Sequence, residues 1–587
     1  MLREPELTDT TIRLLIIGGY GTFGGRLAEL LCRERRVSLV IAGRSKSAAL
    51  DFCHALPPGA TREALAVDRD GDVARRIEKV KPDIVVDASG PFQAYGKDPY
   101  RVVKAALATG THYLDLADSP DFVRGIRKFD GTAKEQGLVM LSGVSSFPVL
   151  SAALVRDLAT EFRRIDSITG GIAPSPYAGV GYNVIRAIAG YAGKGIPVRR
   201  GGSEQTARAL RETRRFMIAP PGEIPLFPRT FSLVDVPDLQ LLADEWPEVR
   251  EVWMGAAPEP AILHWLLRRF AGLVRLGLVP SLAPLARIIH STANNVRWGE
   301  HRGGMFVEVR GRDAEGAEIS RSAHLLAEGH HGLYIPSMAV EAIVRNWLDG
   351  RPPRAGARPA TAALELSDYA RVFADRPIAI GTRNGAGTGV HCLHKRILGT
   401  AWQSLPAVLR AVHGAGPKLT ISGEASITRG RGVLARLLAW IMRFPAAGEN
   451  TPVSVTFERH GDYDKWTRDF GGQEFSSNFT LGTGRFEHLL CERFGPLTFG
   501  MALVPDAGRL NLVMRRWSFL GLPLPRSLMP SGDSHEFAKD NQFWFDVEVR
   551  LPLAGFVIRY RGFLAPPGLS HDPTAQTPSV SRSRSVP

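Results

Sequence analysis

Several features that would have fixed the class of this chain at once are scarce or missing. There are four cysteines in 587 residues: Cys32, Cys53, Cys392 and Cys491, widely spaced and with no C-x-x-C pair. That excludes a disulfide framework and a thiolate zinc site, and it points to a reduced compartment, the cytoplasm. No apolar run reaches the length that a membrane-spanning helix requires. The first apolar run is too short for a secretory signal and leads directly into a glycine turn. No G-x-S-x-G elbow is present, which removes a common hydrolase signature. Lysine is absent between Lys194 and Lys395, so the net charge of +14 rests mostly on arginine. Those arginines are scattered, with no signature of an RNA- or DNA-binding module, so nucleic acid is not expected as a partner. His391 and His394 fall on one helix face, but without a third and fourth ligand nearby they do not make a metal site.

What is present begins with "LLIIGGYGTFGGRLAELL", Leu14–Leu31. A short β-branched run suits a buried parallel strand, and Leu27, Leu30 and Leu31 then recur at helical spacing. Between them Gly19, Gly21 and Gly24 give the G-x-G-x-x-G spacing of a dinucleotide site. Gly19 serves the tight turn, Gly21 lets backbone approach a pyrophosphate, and Gly24 lets helix and strand pack closely. The helix N-terminus at Thr22 and Phe23 offers free N–H groups and a positive dipole end to phosphates. A second strand, Val37–Gly43, leads to Arg44 and Ser45. An NAD-binding chain usually carries a carboxylate there for the ribose 2′-hydroxyl. A guanidinium and a hydroxyl instead suit a 2′-phosphate, so the expected cofactor is NADP.

Strand–helix alternation continues to about residue 150, which implies a doubly wound parallel sheet with right-handed crossovers. Ligands of such sheets bind beyond the carboxyl ends of the strands. Asp68, Ser89–Phe92, Asp115–Asp118 and Ser142–Ser146 belong there. The expected fold is α/β: a Rossmann-type domain over 1–150, completed by a helix at 335–350, and an α+β substrate domain over 151–334. A Pro/Gly/Ala-rich linker over 351–389 would follow. Period-two runs such as "FWFDVEV" and "FVIRYR" predict a C-terminal α+β domain over 390–565, with a mainly antiparallel sheet buried on one face. The tail, 566–587, is low in apolar residues and reads as disordered. Ala261–His290 is apolar, studded with arginine and broken by Pro280 and Pro284. It reads either as two helices covering a core, or as a lining for a lipophilic substrate or an anchor in a membrane surface.

The motifs "GGYGTFGGRLAELL", "AGRS", "DASGPF", "THYLDLAD" and "SGVSSFPVLSAAL", in this order, resemble the saccharopine-dehydrogenase-like reductases over roughly residues 12–350. "GHHGLYIPSMAVEAIV" resembles the segment with which that family returns to its first domain. The C-terminal part, with "WTRDFGG" and "GFVIRYRGFL", looks like a domain of unknown function often fused behind such reductases. The resemblance implies NAD(P)-dependent reduction of a C=N or C=C bond in a small or lipophilic substrate, with Gly90 and Pro91 as backbone contacts to the nicotinamide ribose. The alternative is a non-catalytic dinucleotide-binding sensor or scaffold whose C-terminal domain carries lipid or protein contacts. Hydride transfer needs orientation and a proton source. Tyr95, Asp118 and Ser145 are the candidates by position, beside Asp115 and Ser146. Nothing in the sequence bears on oligomeric state.

Overall fold

The computed structural model describes residues 11–385 and 392–565, which form two compact units meeting in sequence near residue 387. In the first unit, β1 (Ile12–Ile17), β2 (Val37–Gly43), β3 (Thr61–Ala66), β4 (Ile84–Asp87), β5 (His112–Asp115) and β6 (Val139–Ser142) lie parallel in the order β3-β2-β1-β4-β5-β6. The connecting helices include α1 (Thr22–Leu31), α2 (Lys46–Ala55), α3 (Val73–Val80) and α4 (Arg101–Ala108). Leu14, Ile16, Leu39 and Ile41 face one buried layer, Leu15, Ile17, Val40 and Ala42 the other. Both faces of the sheet are therefore covered, which is why these strands read as continuous apolar runs rather than alternating ones.

The segment 351–389 is not a linker over its described part. Gly356–Pro359 is a seventh parallel strand, paired with β6. A helix follows at Leu366–Phe373, opened by a reciprocal Glu365–Asp368 capping box, and Ile378–Asn384 pairs antiparallel with Glu318–Ala327. Proline and glycine misled here because an edge strand needs no ladder donor on its outer side. Residues 386–389 lie outside the described residues. The helix expected at 335–350 forms over Ile335–Leu348 and lies against α1, with Ser337 donating to the Phe23 carbonyl at 2.9 Å.

A second, mixed sheet of seven strands occupies the middle of the chain, with Arg164–Ala173 at its centre. The helices Ala261–Arg275 and Ala286–Asn295 cover a small core with one side, Ala271 and Ala286 packing with Ile185, Ala189 and Val234. Only His264 and Ala271 of the first and Ala286 of the second are buried, while Ile262, Trp265, Phe270 and Ile288 are exposed.

The second unit exceeds the expected one-faced sheet. Ten strands, from Lys418–Arg429 to Gly555–Ala565, follow one another antiparallel, and the last pairs with the first. The sheet thus closes into an up-and-down barrel. Period-two alternation states which face is apolar but not that the ends meet. Domain position 390 and His391 lie outside the described residues, as does the tail 566–587. Among the described residues no helix is long and apolar enough to cross a membrane.

Candidate active site

The turn after β1 is shaped by carbonyl oxygens that leave no room for side chains. Gly18 has φ +80°, and a Cβ there would lie 2.7 Å from the Ala88 carbonyl oxygen. Gly18 therefore takes the tight-turn role assigned to Gly19 by spacing. Gly19 is crowded instead, since a Cβ would meet the Ile16 carbonyl oxygen at 2.8 Å. A Cβ on Gly24 would run into the Gly18 carbonyl, so α1 can start this close to β1 only with glycine. Gly21 differs: beyond the Gly18 carbonyl, its Cβ would meet nothing nearer than 4.0 Å. The space outside Gly21 is open, at the first turn of α1, where no side chain caps the helix and no acidic residue stands. Those are the conditions for an anion on a helix N-terminus. The residues present fit a dinucleotide diphosphate, with Gly19, Gly21, Thr22, Phe23 and Gly24 supplying the backbone.

Tyr20, which glycine spacing passes over, holds the neighbouring turn. Its hydroxyl accepts the Ser45 N–H at 3.0 Å, and its ring fills the space a Cβ on Gly43 would need. Ser45 in turn caps α2, its Oγ accepting from the Ala48 N–H at 3.2 Å. Arg44 projects exposed from this braced turn. Asp68, exposed beyond β3, accepts from the Asp70 N–H at 3.0 Å and shapes its own turn.

Beyond β4 a hydrogen-bonded set stiffens the loop. Ser89 donates from both its N–H (3.0 Å) and its hydroxyl (2.5 Å) to Asp87 Oδ1, and its Oγ lies 2.8 Å from the Tyr95 hydroxyl. Tyr95 also reaches both Asp87 oxygens at 3.3 Å, while the Arg69 guanidinium sits 3.3 Å over its ring. Burial raises the pKa of Tyr95 and that of Asp87, so the phenol keeps its proton inside this set. The Gly90 carbonyl accepts from Asn183 Nδ2 at 2.9 Å. Asn183 belongs to the helix Tyr182–Tyr191, whose N-cap Gly181 already lies so near Thr22 that a Cβ there would crowd its Oγ1 at 3.0 Å. The middle domain thus reaches over the turn after β4 and the start of α1.

Asp115 is buried and structural. It accepts from the Ala117 and Gly143 N–H groups at 2.9 and 2.8 Å and from the Ser142 hydroxyl at 3.0 Å. Burial nonetheless pushes its pKa up to about 7. Ser145 is half-buried, and neither it nor Ser146 caps the following turn with its side chain. Asp118 accepts from Gln93 Nε2 at 3.0 Å, and burial raises its pKa. Its charge also acts on Asp235, which follows the strand Arg229–Leu233, and on Tyr191 at the end of the 182–191 helix. Burial first, then Asp121 and Asp118, push Asp235 up to about 6. Asp235, Tyr191 and Asn183 come from a part of the chain with no motif. Only the fold brings them to the carboxyl ends of the Rossmann strands. His394 is buried and stacked on His413 at 3.8 Å, and among the described residues no group of three or more side chains could hold a metal ion.

Residues 14–141 match the saccharopine dehydrogenase NADP binding domain, and residues 405–564 match a domain of unknown function, DUF4166. No curated protein matches the chain. Among solved structures, apo saccharopine dehydrogenase (L-Glu forming) from Saccharomyces cerevisiae is similar at 13% identity, covering 64% of this chain and 100% of its own, with a TM-score of 0.46. Biliverdin reductase from Synechocystis is similar at 14% identity, covering 62% of this chain and 97% of its own, with a TM-score of 0.27. The class defined by glycine turn, strand order and domain match is a dinucleotide-binding domain of the oxidoreductase type. Over residues 14–141 that domain is similar to the NADP binding domain of saccharopine dehydrogenase, and the barrel that follows carries the DUF4166 match.

Proposed function

We propose that the chain is an NADP(H)-dependent reductase acting on the C=N or C=C bond of a lipophilic substrate. The observation that carries this reading is the open, uncapped start of α1 at Gly21, flanked by glycines that cannot be anything else. Arg44, held out by the Tyr20–Ser45 brace where an NAD site would carry an acid, supports NADP over NAD. NADP(H), when bound, supplies or accepts the hydride; the chain's part is to position it and to move a proton. Gly90 and Pro91, braced by Asn183, face the nicotinamide end.

Of the three sequence candidates, Tyr95 is tied to Asp87, and Ser145 stands half-buried at the start of the turn 146–150. Asp118, with Asp235 beside it, suits proton delivery best. It is Asp235 whose pKa is pushed up to about 6, so that it is part-protonated at neutral pH and, beside Asp118, can give up its proton without a large barrier. The exposed apolar faces of the helices 261–275 and 286–295 support a lipophilic substrate met at a membrane surface. Residues 261–299 contain five arginines and no acid.

Thermal-shift titration with NADPH and NADH tests the cofactor: saturable stabilisation that is stronger with NADPH is expected, and none with either at millimolar concentration overturns the proposal. NADPH consumption in the presence of lipid extracts tests the reaction. It is expected to fall as pH rises above about 6, and to drop sharply in Asp235→Asn. NADPH binding without consumption in any extract would favour the sensor reading.

A further inference from the structure

The two ends of the barrel differ in kind. At one end lie the helices Leu393–Leu398 and Ala407–His413. His413 Nε2 is 2.6 Å from Glu536 Oε2 there, both buried, and Arg459 donates to the His413 carbonyl at 3.3 Å. At the other end the chain crosses from strand to strand through 430–447, 471–472, 495–496, 520–534 and 552–554. The first of these crossings includes the helix Val433–Ile441, which buries only Ala435 and Ala439. Val433, Trp440, Leu520, Leu522 and Leu553 stand exposed at this end, Leu553 to 78%. These crossings carry Arg431, Arg436, Arg443 and Arg526 against a single acid, Asp533. An apolar rim with an excess of basic charge is complementary to an anionic lipid surface, and it is confined to the end away from the buried His413–Glu536 pair.

Inside is a cavity of about 490 Å³, within the range of ligand sites, roughly 300–1,000 Å³. Protein interiors seldom leave voids much larger than water, and ten strands enclose more than side chains need fill. Leu434 and Leu438 of the rim helix and Leu553 line its mouth; Phe479, Met514 and Phe545 line its wall. Its polar groups are few and balanced. Arg468 donates to Ser477 Oγ at 2.9 Å and to Glu492 at 3.3 Å, and Glu536 is paired with His413. Tyr560, its pKa pushed up to about 12 by burial, keeps its proton to donate. With every interior charge matched, a ligand carboxylate would find no unpaired cation. An oxygen without charge would find donors in Arg468 and Tyr560.

We propose that the barrel binds one single-chain lipid with an uncharged, oxygen-bearing end, taken from a membrane surface through the mouth beside the 433–441 helix. This site is separate from the reductase reading and does not depend on it.

The test titrates the full-length protein with the neutral fluorophore N-phenyl-1-naphthylamine, then competes it with monooleoylglycerol and with oleate. Saturable binding at one site is expected, displaced by monooleoylglycerol at roughly tenfold lower concentration than by oleate. Hydrogen exchange should show protection by monooleoylglycerol within strands 497–506, 509–519 and 542–551. Met514→Trp, which fills the cavity, should weaken the fluorophore at least tenfold while NADPH stabilisation is unchanged. If that variant does not fold, the exchange pattern of the unaltered protein decides. Non-saturable binding, or protection confined to residues 11–385, overturns the site. Displacement by oleate as readily as by monooleoylglycerol overturns the uncharged end. Trp440→Asp should slow loading from phosphatidylcholine–phosphatidylglycerol vesicles; unchanged loading overturns the proposed entry.

Discussion

The parallel sheet and the barrel bury apolar side chains by opposite means. In the sheet, helices press on both faces and nothing is left between, so all freedom for chemistry lies past the strand ends, at Gly21, Arg44, Gly90 and Asp118. In the barrel, the sheet is its own cover, and large aromatic side chains facing inward leave room at the centre. The first arrangement leaves backbone N–H groups free at a helix start; the second lines its interior with hydrocarbon. A filled core thus pushes a site to the edge, and a closed sheet keeps one within.

Glycine marks the tightest points of both regions, so substitutions there separate them most cleanly. Gly24→Val forces side-chain atoms into the Gly18 carbonyl. It is expected to weaken NADPH binding by more than about 100-fold while leaving fluorophore binding to the barrel intact. Isothermal titration with both ligands reads the two effects, and equal loss of both would deny the comparison. Gly562→Val is the converse. A Cβ there meets the Glu424 carbonyl on the neighbouring strand. The second unit should lose about 3 kcal/mol in urea unfolding, with NADPH affinity unchanged.

Arg44→Asp removes a donor from the rim of the first site and adds a charge like that of the phosphate. A loss of about 2 kcal/mol, roughly 30-fold in NADPH dissociation constant, is expected, with NADH unaffected or improved. Equal losses for both cofactors would show that Arg44 does not face a 2′-phosphate.

The smallest effect concerns pH. Asp238 is fully buried with Ser151 donating to it, and burial pushes its pKa up to about 7. The folded chain then holds a proton that the unfolded chain releases near pH 4. Stability of the first unit therefore falls as pH rises from about 4 to about 7 and is flat above. Asp238→Asn should remove about 1 kcal/mol of that slope, measured as the difference in unfolding free energy between pH 6 and pH 8. An unchanged slope would place the titration elsewhere, on Asp115 first.

Much of the first site was legible because glycine positions report backbone crowding directly. The crowding at Gly24 and the helix start beside Gly21 can be read from spacing, and the exposure of Arg44 from its place just past the second strand. Gly18 escaped because its constraint comes from Ala88, far along the chain, and Tyr20 because its partner is the turn after the next strand. Asp235 and Asn183 carry no local signal at all; their place depends on how the middle domain folds back. In the barrel, the alternation of Phe543 and Phe545 with Trp544 and Asp546 predicted a buried face. Closure depends on pairing between residues such as Ile427 and Tyr560, more than a hundred positions apart, which no local period encodes. The Pro- and Gly-rich run after residue 350 failed for a related reason: its strand exists only by virtue of β6.

That last strand has a consequence for how the protein is made. The dinucleotide domain takes its seventh strand from Gly356–Pro359 and its flanking helix from Ile335–Leu348. As the nascent chain leaves the ribosome, β6 must wait with one edge bare while the whole middle domain is synthesised. A fragment cut at residue 150 would be left permanently in that state, so a shorter version for expression has to run past Pro359 to be sound.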